Sequence, residues 1–299
     1  MKPLVEIIVN KNWEVEPFLA AMNGKTKPES FPAPYILHSP MDPKNRMASC
    51  RAEYHLEYMN VIVRCIQDLM DAEKHASNSE EKYRVLPGYI KADNPSLIIS
   101  VSTAESTPII EKEIGSQNGS VFIGGTFYMF DAHDYDQGSP SHLSVIELQK
   151  NSVPDAIYNL VGKTFRETVL GKFIPAVNAP SRKMTCVADP DFVSIGVVNV
   201  INYEVYTKAD PAAYNEFMRK YGTRYTAATI ETTHGIVRMS AGNVPTLFVS
   251  PITDRYNHFK EDVDPEGKQN SIAANNAGVA IAELLVRLNN LYDSRTCPC

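Results

Sequence analysis

Apolar and polar positions alternate along the chain in a way that predicts strands and helices by turns. The opening run Leu4-Val5-Glu6-Ile7-Ile8-Val9 is dense in β-branched residues and predicts a buried strand, and residues 13–22 follow with the composition of a short helix. Pro28, Pro32, Pro34, Pro40 and Pro43 make residues 23–47 mostly irregular, a loop or lid with a short strand at 35–38. Over residues 48–76, Tyr54, Met59, Ile62, Cys65, Ile66 and Met70 recur at helical spacing, which predicts one long amphipathic helix, closed by the polar run from His75 to Lys82. Residues 96–101 read as a compact buried strand running into the hydroxyl-rich segment Ser102 to Thr107, and residues 119–130 as one or two strands. Residues 143–179 carry no readable period. The clearest alternation follows: strand 192–202, helix 211–221, strand 225–230, helix 232–241, strand 246–250 and a final amphipathic helix at about 271–292. Alternating strands and helices predict an α/β protein with a largely parallel or mixed sheet.

With 299 residues and 43% hydrophobic content, the chain is expected to form one domain, with a flexible tail at about 293–299. A net charge of −6 and the absence of any Lys/Arg-rich run disfavour nucleic-acid partners. No export signal is visible, and apolar stretches short of the ~20 residues that span a bilayer predict a soluble protein without a membrane partner. Five cysteines without repeated spacing fit reduced thiols in the cytoplasm. Cys297-Pro298-Cys299 lacks the second pair a structural zinc needs. The cluster His133, Asp134, Asp136 and His142 has metal-ligand residue types but the composition of an exposed loop, so neither metal nor cofactor is expected. No nucleophile-elbow, P-loop or dinucleotide-binding pattern occurs.

Three carboxylates stand where a strand gives way to a helix or loop: Glu14, Glu231 and Asp254. Strand ends gather side chains into one crevice. A strand delivering Glu231, a helix recrossing the sheet and a second strand delivering Asp254 would bring both acids out on the same edge. Each also has a plainer reading: Asp254 as a turn or cap residue, Glu231 as a cap on the following helix, Glu14 as a solvated helix-start acid beside Glu16.

From Glu231 through Val244-Pro245 to Thr253-Asp254 the chain resembles the phosphorylase/nucleosidase superfamily, in particular the methylthioadenosine/S-adenosylhomocysteine nucleosidases. Their pattern there is glutamate, small residues, a helix, Val-Pro, a hydrophobic strand and a terminal Ser/Thr-Asp. Glu14 matches a glutamate following the first strand, and residues 96–106 look like the strand leading to a hydroxyl- and glycine-rich turn. The resemblance implies a three-layer α/β/α fold whose central mixed sheet is partly barrel-like. It also implies cleavage of the N-glycosidic bond of a purine nucleoside such as adenosine or methylthioadenosine. In that reading Asp254 protonates the departing base, Glu231 holds the ribose hydroxyls, and Glu14 polarises the attacking water. Ile230, Thr103, Ala104, Ile201 and Tyr203 would line the ligand, and a homodimer or larger homo-oligomer would complete the site. The chain departs from the pattern at three places: Ile230 replaces a methionine, Ser250 a basic residue, and Thr103-Ala104-Glu105-Ser106 the glycine-rich turn. Hydrolysis is expected over phosphorolysis, since Val9-Asn10-Lys11-Asn12 offers no arginine or glycine amides for phosphate. A phosphate-dependent phosphorylase and a catalytically silent nucleoside-binding protein are the alternatives.

Overall fold

The computed structural model describes residues 2–23, 36–37, 50–69, 79–114, 118–132, 148–150, 152–177, 183–198, 203–263 and 267–293. Two parallel ladders start the sheet. Strand β1 (Leu4–Val9) pairs with β4 (Asn60–Cys65) on one side and with β5 (Leu97–Val101) on the other. Side chains alternate along these strands, so each face gathers its own apolar set. Val5, Ile7, Leu97 and Ile99 pack with helix α1 (Asn12–Asn23) and the C-terminal helix α9 (Lys268–Leu291), whereas Ile8 and Ile98 pack with α2 (Ser79–Asp93) and α7 (His234–Ser240). Helices on both faces of a mixed sheet are the layered α/β/α arrangement expected.

The rest of the sheet closes on itself. Strand β11 (Thr246–Asp254) runs parallel to β5 over its first half, meets β7 (Val121–Asp131) antiparallel through Phe248–Pro251, and ends beside β6 (Ala104–Ser106). With β10 (Thr226–Glu231) and β9 (Cys186–Val198) these strands form a ring in the order β11, β6, β10, β9, β7 and back to β11. Phe122, Phe127, Phe192, Phe248 and Ile252 fill its interior, with Phe127 edge-on to Phe248 at 5.8 Å. Gly124 admits this packing: a Cβ there would lie 2.4 Å from the Phe248 ring. Helix α6 (Tyr203–Tyr221) covers the ring from outside, setting Ala209, Ala213 and Phe217 against Val193, Ile195 and Ile230.

Several sequence readings are corrected. Residues 48–76 hold no long helix: β3 (Cys50–His55) and β4 form an antiparallel pair, followed by a 3₁₀ turn at Ile66–Leu69. The recurrence taken for a helix spans two short strands with alternating buried residues, Ala52 and Tyr54 on one and Val61, Val63 and Cys65 on the other. The polar run that was to end a helix leads into one, α2. Helix α6 starts eight residues before Pro211 and runs through it. The unread segment contains β8 (Leu148–Lys150), α4 (Asp155–Tyr158) and α5 (Lys163–Leu170). Helices α3 (Pro108–Glu113) and α8 (Phe259–Asp262) are short. Of residues 23–47, only Asn23, ending α1, and β2 (Ile36–Leu37) are described. Helix α9 is long and apolar enough to cross a membrane by length and composition, yet Ala277, Ile281, Leu284 and Leu288 are buried in the protein core.

Helices α1 and α9 touch closely at Gly278, where a Cβ would lie 2.4 Å from the Phe18 carbonyl oxygen. Backbone cannot retreat as a flexible side chain can. Gly278→Ala is expected to lower unfolding stability by about 1–3 kcal/mol in urea titrations, although helix propensity alone would favour alanine.

Candidate active site

The ends of β10 and β11 meet across β6. Glu105 of β6 is in register with Ile230 of antiparallel β10 on one side and with Asp254 of parallel β11 on the other. The acid-bearing strands are therefore neither adjacent nor parallel, although both end beside Glu105. It is Ile230, not Glu231, that stands level with Glu105 and Asp254. Ile230 packs toward α6, and one residue on the side chain turns the other way. Glu231 Oε1 accepts a hydrogen bond from Ser194 Oγ at 3.0 Å, and Oε2 accepts the backbone N–H groups of Thr233 and, at 2.7 Å, His234. It thus satisfies unpaired donors at the start of α7.

Glu14 joins two chain corners. Its Oε1 accepts from the Thr103 N–H at 2.9 Å and the Thr103 hydroxyl at 2.7 Å, and its Oε2 from the Lys11 N–H at 2.8 Å. Thr103 is thus committed to Glu14, while Ala104 is buried in the ring interior. The neighbouring Asn10 donates to Ser102 Oγ at 3.3 Å and accepts from Lys82 Nζ at 3.1 Å. Sequence reading passed over Lys82 as part of a polar run, but the structure buries it to 3% exposure. The signal was present: Lys82, Leu86 and Ile90 share one stripe of α2, and all three are buried.

The electrostatics follow from dehydration, which disfavours whichever form carries charge. Burial lifts Glu231 to about 7 against its own hydrogen bonds and the attraction of Lys82. Glu14 is raised for the same reason, with the Thr103 and Lys11 bonds opposing. Burial, then repulsion from Lys11, pulls Lys82 down to about 7, while Glu14, Cys65 and Glu231 hold it up. His234 is pushed down to about 3 by burial and stays neutral, bridging Ser100 Oγ at 2.7 Å and Ser250 Oγ at 2.9 Å. Ser250 is thereby spent on the core.

Asp254 has different company. Its Oδ1 accepts from the Thr253 hydroxyl, and its Oδ2 is buried with no hydrogen-bond partner among the described residues. Burial first, then the adjacent Glu105, raises its pKa well above the usual carboxylate value. Glu105 is raised too, to about 9, through burial and the nearby Asp210 of α6, although it accepts the Asn257 N–H. Asn257 holds that N–H in place with φ +59°, a left-handed conformation asparagine tolerates. Two acids in register, both disposed to keep protons, make a group that can donate.

Of the remaining expected ligand contacts, Ile201 lies outside the described residues, and Tyr203 opens α6 with its side chain outside them. His133, Asp134, Asp136, His142 and Cys297 to Cys299 also lie outside. Among the described residues no group of three His, Cys, Asp or Glu is placed to hold a metal.

No protein-family model and no curated protein matches the sequence. Solved structures match the fold. The 5′-methylthioadenosine/S-adenosylhomocysteine nucleosidase of Neisseria meningitidis, in complex with methylthio-immucillin-A, superposes with a TM-score of 0.55 at 10% identity, over 95% of this chain and 98% of that one. The apo 5′-methylthioadenosine nucleosidase of Arabidopsis thaliana gives 0.54 at 12%, over 99% and 98%. The futalosine hydrolase of Helicobacter pylori gives 0.52 at 10%, over 96% and 99%. The chain therefore has the nucleoside phosphorylase/nucleosidase fold.

A raised carboxyl pKa means the folded state holds a proton that the unfolded chain releases from about 4.5 upward, so stability falls as pH climbs toward about 9. Lys82 and other groups titrate nearby, so the informative quantity is a difference. Relative to wild type, Glu105→Gln should gain about 2 kcal/mol between pH 7 and pH 9 in urea titrations. An unchanged difference would mean that Glu105 is already ionised at neutrality.

Proposed function

We propose that this chain hydrolyses the N-glycosidic bond of a purine nucleoside, adenosine or a 5′-thioether relative such as methylthioadenosine, and releases the free base. The carrying observation is the buried Asp254 carboxyl at the end of β11, with an unpartnered Oδ2 and surroundings that favour its protonated form. Such a group is a general acid. Breaking the bond builds negative charge on the base and positive charge on the sugar, so a proton delivered to purine N7 lowers the barrier. The shared fold supports the reading, as do the names of the proteins that share it.

The other roles follow in this reading. Glu231 uses three of a carboxylate's roughly four acceptor positions on the protein and keeps one for a ribose hydroxyl. Glu14 likewise keeps one, on Oε2, to orient water. Ile201 and Tyr203 would line the ligand, which must reach across the end of β6 to touch both Asp254 and Glu231, whereas Ile230 packs toward α6 and Ala104 into the ring. Water is preferred to phosphate as acceptor because Lys82 is already flanked by Glu14 and Glu231, leaving no net positive field for a dianion. A cytoplasmic homo-oligomer accompanies the reading, with light scattering as the check on assembly.

Chromatography of a nucleoside mixture incubated with the protein, with and without phosphate, tests the proposal. Free base should appear without phosphate; base release that requires phosphate and yields ribose 1-phosphate would select the phosphorylase. Asp254→Asn should lower kcat/KM by about 10²–10⁴ while nucleoside binding persists. Wild-type activity should fall as pH rises through the Asp254 pKa, since an acid must hold its proton to give it. Tight binding without turnover would identify a silent binding protein.

A further inference from the structure

We infer that Lys82 is the cationic positioning residue of this site, reaching from α2 to Asn10 beside the Thr103 corner that binds Glu14 and lending Glu14 and Glu231 a positive charge that supports their ionised forms. The inference rests on the hydrolytic reading for its purpose, though not for its electrostatics. Three observations carry it. Lys82 is 3% exposed, yet its Nζ has a placed hydrogen bond, 3.1 Å to Asn10 Oδ1. Asn10 continues to Ser102 Oγ at 3.3 Å, and the next residue, Thr103, binds Glu14 through both N–H and hydroxyl. The cation also attracts both acids, Glu14 at the start of α1 and Glu231 at the end of β10.

An ammonium has three donors, and Asn10 is the one hydrogen-bond acceptor that Nζ reaches among the described residues. The remaining attraction to the two acids acts through space, where low dielectric strengthens it. Among the described residues, the charged and titratable groups that act most on Lys82 are Lys11 and Glu14 near the start of α1, Cys65 at the end of β4, and Glu231. Lys11 opposes the charge and the other three favour it. Strand β11 offers no alternative cation here, since its Ser250 is bound to His234. Lys11, beside α1, serves Glu14 alone among these acids, whereas Lys82 enters from α2 and attracts both carboxylates.

Carboxyl-carbon NMR titration of protein with labelled glutamate reads the effect directly, with Glu14→Gln and Glu231→Gln spectra assigning the signals. In Lys82→Met the midpoints of Glu14 and Glu231 should rise by about one pH unit, tenfold in the ratio of protonated to ionised form. In Lys82→Arg, which keeps the charge, they should stay close to wild type. Should Lys82→Met fail to fold, Lys82→Gln is measured in the same way. Unmoved midpoints in the uncharged variant overturn the inference. With nucleoside as substrate, the acid limb of kcat/KM should move upward by the same unit in the uncharged variant and not in Lys82→Arg. Shifted midpoints in a protein that cleaves no nucleoside would sink the hydrolytic reading and leave Lys82 standing. Normal cleavage with unshifted midpoints would do the reverse.

Discussion

Strand β11 serves two sheets at once, and the rest of the architecture depends on that double membership. Its first half continues the parallel sheet beside β5, its middle closes the ring against β7, and its last residues lie beside β6. A strand can change partners in this way only where the sheet bends sharply and facing side chains leave room. The register shift between Ile252 and Asp254 gives the bend, and Gly124 gives Phe248 its space. The same geometry buries Asp254 at the strand end beside Glu105. Closing the ring and forming the acidic site are one structural event.

Burial then decides the chemistry. Removing a carboxylate from water costs several kcal/mol unless hydrogen bonds or a counter-charge offset it. The protein treats its strand-end acids in two ways. Glu14 and Glu231 receive N–H and hydroxyl donors, together with the attraction of Lys11 for Glu14 and of Lys82 for Glu231, which oppose the rise that burial causes. Asp254 and Glu105 stand in register with each other and draw no nearby lysine or arginine among the main influences on their protons, which favours the neutral form. Burial raises all four, but donors and cations oppose the rise at Glu14 and Glu231 while neighbouring acids add to it at Glu105 and Asp254, and an acid-assisted displacement at a sugar carbon uses such a difference. The division arises from packing rather than from residue type, since all four groups are ordinary carboxylates.

The sequence was most legible where elements are long and uniformly periodic. Strand β5 and helices α1, α7 and α9 stand within a few residues of their expected places, and Glu231 and Asp254 fall at strand ends as their spacing implied. Residues 48–76 misled because two short strands joined at Leu56–Met59 place apolar residues at separations that a helix also allows. Pro211 suggested a helix start, a position proline favours, but α6 was already under way. What the pattern could not carry is partner choice. Nothing local to residues 225–254 says that the three-residue strand β6 separates β10 from β11, and therefore that Ile230 rather than Glu231 faces the Glu105 level.

Lys82 shows the same lesson at a single residue. Its neighbours Glu80, Glu81 and Arg84 make the segment read as solvated, and composition over a window averages away the one position that matters. Periodicity retains it: four and eight residues on stand Leu86 and Ile90, and a lysine in phase with two buried aliphatics must go into the interior with them or break the stripe. A lysine buried that deeply needs an acceptor for its ammonium and acids near enough to hold its charge. Asn10, Glu14 and Glu231 meet those needs, and they stand where β1 and β10 end. The helix that sequence reading overlooked is thus tied electrostatically to the strand ends it recognised.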